Sequence, residues 1–276
     1  MKAEVFIRAA LREGRPSLRE NYFTPPFKVM NITEDKEGGF LELMLMCSSP
    51  GVLDGDDYRF RLDIGEGCGV RLHTQSYQRL FQMKNSAVQS MEVQLGREAS
   101  FVYMPHPSVP HRASVFTARN KIYLVEGSRL IWGEILTCGR KLNGEVFTYS
   151  KYHSMTDIFV GERLLIRENL CLQPLQQDVQ AMGQMEGYTH QASLLLIGFG
   201  PGASGSAGTG AGVLPGPGGG GKMVDRVREY LAAQEGVLGG VSQGPGDSLI
   251  VRMLGYKGEQ LHAVLKSVAA MVGEGG

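Results

Sequence analysis

Four groups of residues have types and spacings that could do chemistry. The first is GPGGGGKM at 216–223, seven of whose eight letters fit the phosphate-loop pattern G-x-x-x-x-G-K-[ST]. The second is the pair His106 and His111 in MPHPSVPH, which could bind a soft or borderline metal from one side of a bend, or simply sit half-exposed on a proline-ordered connection. The third is Glu134, inside the apolar run LIWGEILTCG and four residues before Cys138. If that run is covered on both faces, the carboxyl must be paired, protonated or lining a wet channel, because a bare buried charge is costly. The fourth is Asp54, Asp56 and Asp57 in GVLDGDDY, either a solvated turn or a weak oxygen-ligand site for a divalent ion.

The phosphate loop fails on its own terms. Met223 stands where a hydroxyl would hold magnesium. The preceding apolar run, ASLLLIGF, ends some 16 residues before the pattern starts, whereas a working loop turns directly from strand to helix so that fixed amides cradle the phosphates. In DSLIVRML the acid, Asp247, comes first, so no strand ends in a metal-holding carboxylate. No nucleotide is expected. Nor is there a G-x-S-x-G elbow or an HExxH helix.

The elements that must position these residues are mostly strands. From about residue 38 to 173 the runs FLELMLMCS, YRFRLDI, GVRLHTQ, SMEVQL, SFVYM, SVFTARNKIYLVEG, RLIWGEILTCG and GEVFTYSKYHS alternate or are continuously apolar. YRFRLDI puts Tyr58, Phe60, Leu62 and Ile64 on one face and Arg59, Arg61 and Asp63 on the other. Gly65, Gly96, Gly127 and Gly161 each follow an apolar strand, at spacings of 31, 31 and 34 residues. A period near 30 predicts stacked β units sharing one core; a sandwich of hairpins is the other arrangement with recurring turns.

Twelve of the 24 residues at 198–221 are glycine, a composition that cannot bury enough apolar surface to order itself and predicts a flexible insertion. Two amphipathic helices follow. Val224, Val227 and Leu231 stripe the first, and Leu261, Val264, Leu265 and Val268 the second, with SLIVRML as a strand between them. The expected architecture is a mainly β body at 1–197, the insertion at 198–221, and a small αβα cap at 222–276 packed on the same domain.

Composition excludes several classes. The 276 residues carry no formal net charge, which gives no electrostatic argument for nucleic acid or an anionic membrane surface. No apolar stretch approaches the roughly 18 residues of a span. Acids interrupt the N-terminal apolar run, unlike a secretory signal, so the cytoplasm is the expected compartment. Cys47, Cys68, Cys138 and Cys171 are too widely spaced for a zinc cluster and read as reduced, mostly buried thiols.

Larger segments carry a family resemblance. NYFTPPFKVMNI, GGFLELMLMCSSPGVLDGDDY, VRLHTQSYQRLFQM, TARNKIYLVEGSRLIWGEILTCGRKLNGEVF and GVSQGPGDSLIVRMLG resemble the urease accessory proteins UreD, called UreH in some bacteria. The combination S-P-G-x-x-x-G-D, then H-T-Q-x-x-x-[KR], then W-G-E-x-L-x-x-G-R is specific in order and spacing. The glycine tract is the main departure from the family.

The resemblance implies a flattened, β-helix-like body with two helices and a maturation factor rather than an enzyme. It implies binding to UreF, which recruits the GTPase UreG, in a hetero-oligomer that docks on apo-urease and passes nickel to it, with an internal route for the ion. On that basis Glu134, Asp56 and Asp63 are the expected acidic positions of the route. His73 and Cys138 are further candidates, and Thr74, Ser76 and Arg79 are expected to line the same interior. A structural adaptor that never touches nickel, and a metal-dependent enzyme using His106, His111 and Glu134, are the competing readings. Deletion of about residues 201–219 is expected to leave urease activation nearly intact.

Overall fold

The computed structural model describes residues 1–35, 38–198, 220–246 and 248–273. Residues 199–219 of the glycine tract, which include the first half of the GPGGGGKM pattern, fall outside the described residues. In chain order the strands are β1 (Lys2–Arg12), β2 (Arg15–Phe23), β3 (Phe27–Asn31), β4 (Leu41–Cys47), β5 (Asp57–Ile64), β6 (Gly69–Thr74), β7 (Gln78–Leu80), β8 (Ala87–Leu95) and β9 (Ser100–Tyr103). Then come β10 (Ser108–Pro110), β11 (Val115–Leu124), β12 (Arg129–Thr137), β13 (Lys151–Val160), β14 (Arg163–Leu172), β15 (His190–Ile197), helix α1 (Gly220–Ala232), β16 (Leu238–Gln243), β17 (Leu249–Gly255) and helix α2 (Gly258–Gly273).

The strands form two facing sheets. One has seven strands in the order β14-β13-β11-β8-β5-β1-β2; the other runs β16-β17-β15-β12-β9-β6-β4-β3, with β7 and β10 attached to it. β1, β5, β8, β11 and β13 are parallel neighbours in the first sheet, and β4, β6, β9 and β12 in the second. The chain climbs in units: a strand of the first sheet, a tight corner, a strand of the second sheet, and a longer return.

The corners explain the near-30 period. Cys68, Ala99 and Ser128 each donate a backbone N–H to the residue three before, Gly65, Gly96 and Val125. The third position of each turn is left-handed, at Gly67 (φ +64), Glu98 (φ +53) and Gly127 (φ +76). Gly127 is therefore the register partner of Gly67 and Glu98, not of Gly65 and Gly96. A Cβ at Gly127 would run into the Glu98 side chain of the corner below. Gly161 differs again: it turns a two-residue hairpin between β13 and β14, which stay in one sheet. Three of the four glycines mark stacked corners, and the fourth ends the stack.

Alternation builds the core between the sheets. Leu62, Val93, Ile122 and Ile158 are register partners across four parallel strands and are fully buried. Leu43, Leu72, Tyr103, Trp132 and Leu195 form the matching row of the opposite sheet. Each such side chain contributes roughly 1.5–3 kcal/mol on burial.

A second apolar layer lies on the outside of the second sheet. Val227 and Leu231 of α1, and Leu261, Val264, Leu265 and Val268 of α2, cover Ile131, Ile135, Leu194, Val251 and Met253. β12 and the second half of β15 are thus buried on both faces, which is why LIWGEILT and SLLLI read as continuous apolar runs, whereas β17 buries Leu249, Val251 and Met253 under the helices and leaves Arg252 exposed on its other face. The structure differs from the expected αβα cap in having two strands between the helices, both of them part of the second sheet. The strands β1–β3 precede the region where strands were expected. GEVFTYSKYHS is an irregular segment up to Ser150, with Phe147 at φ +53, before β13 begins. No helix among the described residues is long and apolar enough to cross a membrane.

Candidate functional site

Glu134 is the centre of the site. Alternation along β12 sends Ile131 and Ile135 to the helices and Trp132, Glu134 and Leu136 between the sheets. Its carboxylate is held by four neutral donors. Trp132 Nε1 (2.9 Å), Thr156 Oγ1 (2.9 Å) and Asn120 Nδ2 (3.5 Å) donate to Oε1, and Ser154 Oγ (2.8 Å) donates to Oε2. Asn120 also donates to Thr156 Oγ1 at 2.9 Å. The donors come from β11, β12 and β13, so the acid ties one sheet to the other. Tyr103 and Tyr152 close the apolar side, and both phenols are raised well above the ordinary tyrosine range, by burial first and by the charge of Glu134 second.

Glu134 stands where two cavities meet. The smaller, about 280 Å³, runs from Glu134 and Trp132 past Tyr103 to Thr74, Ser76 and Arg79. The larger, about 930 Å³, runs the other way to Glu168 and Arg252 at the open side between β14 and β16. Glu134, Ile135, Tyr152 and Ser154 line both.

The candidates from sequence fall into two sets. Glu134, Thr74, Ser76 and Arg79 line the smaller cavity together. Thr74 Oγ1 accepts the backbone N–H of His106 at 2.9 Å and lies 3.0 Å from that ring's Nδ1, which places His106 on the same wall. The other four are placed elsewhere. Asp56 is buried and accepts from the Met1 amino group (2.8 Å), Leu53 N–H (2.7 Å) and Tyr58 O–H (2.5 Å). Burial pushes its pKa up, and these bonds outweigh burial and bring it below the usual carboxylate value. It is a corner-fixing acid with its oxygens already engaged. Asp63 lies on the outer face of β5, between Arg61 (3.3 Å) and Arg8 (3.7 Å). His73 lies on the outer face of β6, 3.2 Å from Glu42. Cys138 is fully buried beyond the end of β12, and burial pushes its thiol up.

The other ligand sets suggested by spacing do not assemble. Asp54 bonds Asn85, Asp57 bonds Arg59, and Asp56 turns inward, so the aspartate turn sends its carboxylates to separate partners. His111 packs on Phe81 and its pKa is pushed down by burial, with Arg140 adding to the effect. Among the described residues, no three His, Cys, Asp or Glu side chains gather into a metal-holding group, so His106, His111 and Glu134 do not form the set that the enzyme reading needed.

Sequence reasoning missed Asn120, Ser154, Thr156, Glu168 and Arg252. A signal existed for Ser154 and Thr156. They alternate with Tyr152 and Ile158 on the inward face of β13, so they are polar residues at core positions of a strand.

Fold and site together define a stacked two-sheet β protein with a helical outer layer and a hydrogen-bonded carboxylate at the junction of two cavities. The model of the family described as UreD urease accessory protein matches residues 1–274, and the chain belongs to that family. It is 41% identical over 262 residues to the urease accessory protein UreD of Flavobacterium johnsoniae, covering 95% of this chain and 89% of that one. It is 34% identical over 268 residues to UreD of Acetivibrio thermocellus, covering 97% and 95%. It is 29% identical over 258 residues to the urease accessory protein UreH of Helicobacter pylori, covering 93% and 89%.

Proposed function

We propose that this chain is a non-catalytic urease maturation factor that works in a complex with UreF, UreG and apo-urease and conducts nickel through its interior. The observation that carries the nickel reading is the position of Glu134, a carboxylate held by neutral donors at the meeting point of two cavities. Nickel is the cargo here. A route needs oxygen ligands that attract a divalent cation and then release it, and one carboxylate with hydroxyl neighbours suits that better than a closed Cys/His cage.

Each residue has a part in this reading. Thr74, Ser76 and Arg79 line the cavity on one side of Glu134. Ser154, Thr156, Asn120 and Trp132 fix the carboxylate by its oxygens, so its position does not depend on the ion. Glu168 offers a second carboxylate in the larger cavity. Family membership supports the urease setting; the cavity chemistry supports the cation.

The test is co-purification with UreF and UreG, followed by activation of apo-urease in a strain lacking this protein. Activation that needs this chain, the partners and nickel together supports the reading. Urease that activates equally without the chain contradicts it.

A further inference from the structure

The polar stripe does not stop at Glu134. In the second sheet Glu134, Ser193 and Arg252 are successive register partners on β12, β15 and β17. In the first sheet Asn120, Thr156 and Glu168 are successive partners on β11, β13 and β14. The two rows face each other. At the inner end Asn120 and Thr156 donate to Glu134. At the outer end Arg252 Nη2 donates to Glu168 Oε1 at 2.6 Å and Oε2 at 2.9 Å. Glu134, Thr156, Ser193, Glu168 and Arg252 all line the larger cavity.

We propose that Arg252 is a tethered cation occupying Glu168, the outer carboxylate of this stripe, and that a divalent cation passing this side of the cavity displaces it. The inference rests on the cation-route reading above and adds its lock. Three observations carry it. One guanidinium nitrogen meets both oxygens, which lacks the two parallel bonds of a fork-to-fork pair and is easier to open. The Arg252 side chain is 65% exposed against 24% for Glu168, so the arginine can swing into water while the carboxylate stays with the cavity. A fixed positive charge at this point also repels a cation until it moves aside.

The test is calorimetric titration of the purified full chain with nickel chloride. Arg252→Gln should bind nickel about tenfold more tightly than the parent, a screened fraction of one removed charge at contact distance. Arg252→Met should do the same, and Arg252→Lys should stay near the parent. The double variant Arg252→Gln/Glu168→Gln should lose the gain. An unchanged affinity in both neutral variants, a gain that survives in the double variant, or no nickel binding by any of them overturns the lock, as does lowered thermal stability with no change in affinity. The two readings fail separately. Tightening in Arg252→Gln with full urease activation by Glu134→Gln would leave the lock and remove the conduit. No tightening with activation lost in Glu134→Gln would do the reverse.

Discussion

The Thr156 hydroxyl of β13 donates to the Glu134 carboxylate of β12 across the interior, at 2.9 Å. A neutral side chain of one sheet thus fixes the acid of the other. Thr156→Val keeps the shape and removes the donor. It also removes the acceptor for Asn120 Nδ2. The variant should lose about 1–3 kcal/mol of stability, the range for leaving buried polar groups short of a partner. Urea unfolding of parent and variant measures this; an unchanged midpoint and slope would show that water replaces the hydroxyl.

Tyr103 and Tyr152 report the charge of Glu134. Burial is the larger cause of their raised pKa and the carboxylate the smaller. Glu134→Gln should therefore bring both phenols down while leaving them above the ordinary value. Absorbance near the phenolate band during an alkaline titration of the folded protein reads this. No movement would place the Glu134 charge out of their reach.

Acid stability should fall in two stages. Burial, with Lys141 adding to it, holds His190 at about 4 instead of 6.5. The unfolded chain then binds that proton first, so stability declines as pH drops from about 6.5 to about 4. Glu145 is held at about 2 instead of 4.5, by hydrogen bonds from Arg140 chiefly and against the effect of burial. Its contribution is present above about 4.5 and is lost as pH falls through about 2. Melting temperature against pH should show both stages, and His190→Gln should shrink the upper one without touching the lower, the remainder belonging to His111 and His262, whose pKa burial also pushes down. A variant that keeps the full upper decline would assign it to another group.

Much of this was legible in the sequence because the relevant patterns are local. Alternation in YRFRLDI places its own buried face, and the stripes at 224–231 and 261–268 place both helices. The acid in LIWGEILTCG stands out because its strand is apolar on both sides. Pairing across sheets was not legible. Glu168 and Arg252 lie 84 residues apart in sequence and meet only because β14 and β17 end up on the same side of the sandwich. Asp56 and Asp63 failed as cavity residues for a related reason. A short motif fixes residue type, whereas the face of the strand and the nearest ammonium or guanidinium decide where the carboxylate points. Gly127 shows the same limit at a smaller scale: the 31-residue spacing was real as arithmetic, yet register sets it two places along the turn from Gly65 and Gly96.

The central claim is that Glu134 lies on the path of nickel into urease. It is tested most directly by measuring the nickel content of urease purified from cells in which Glu134→Gln replaces this chain, with co-purification of UreF and UreG confirmed in the same cells. The account predicts urease protein at normal amount with nickel near the level seen when this chain is absent. Normal nickel content and normal urease activity, with the complex assembled, would contradict it.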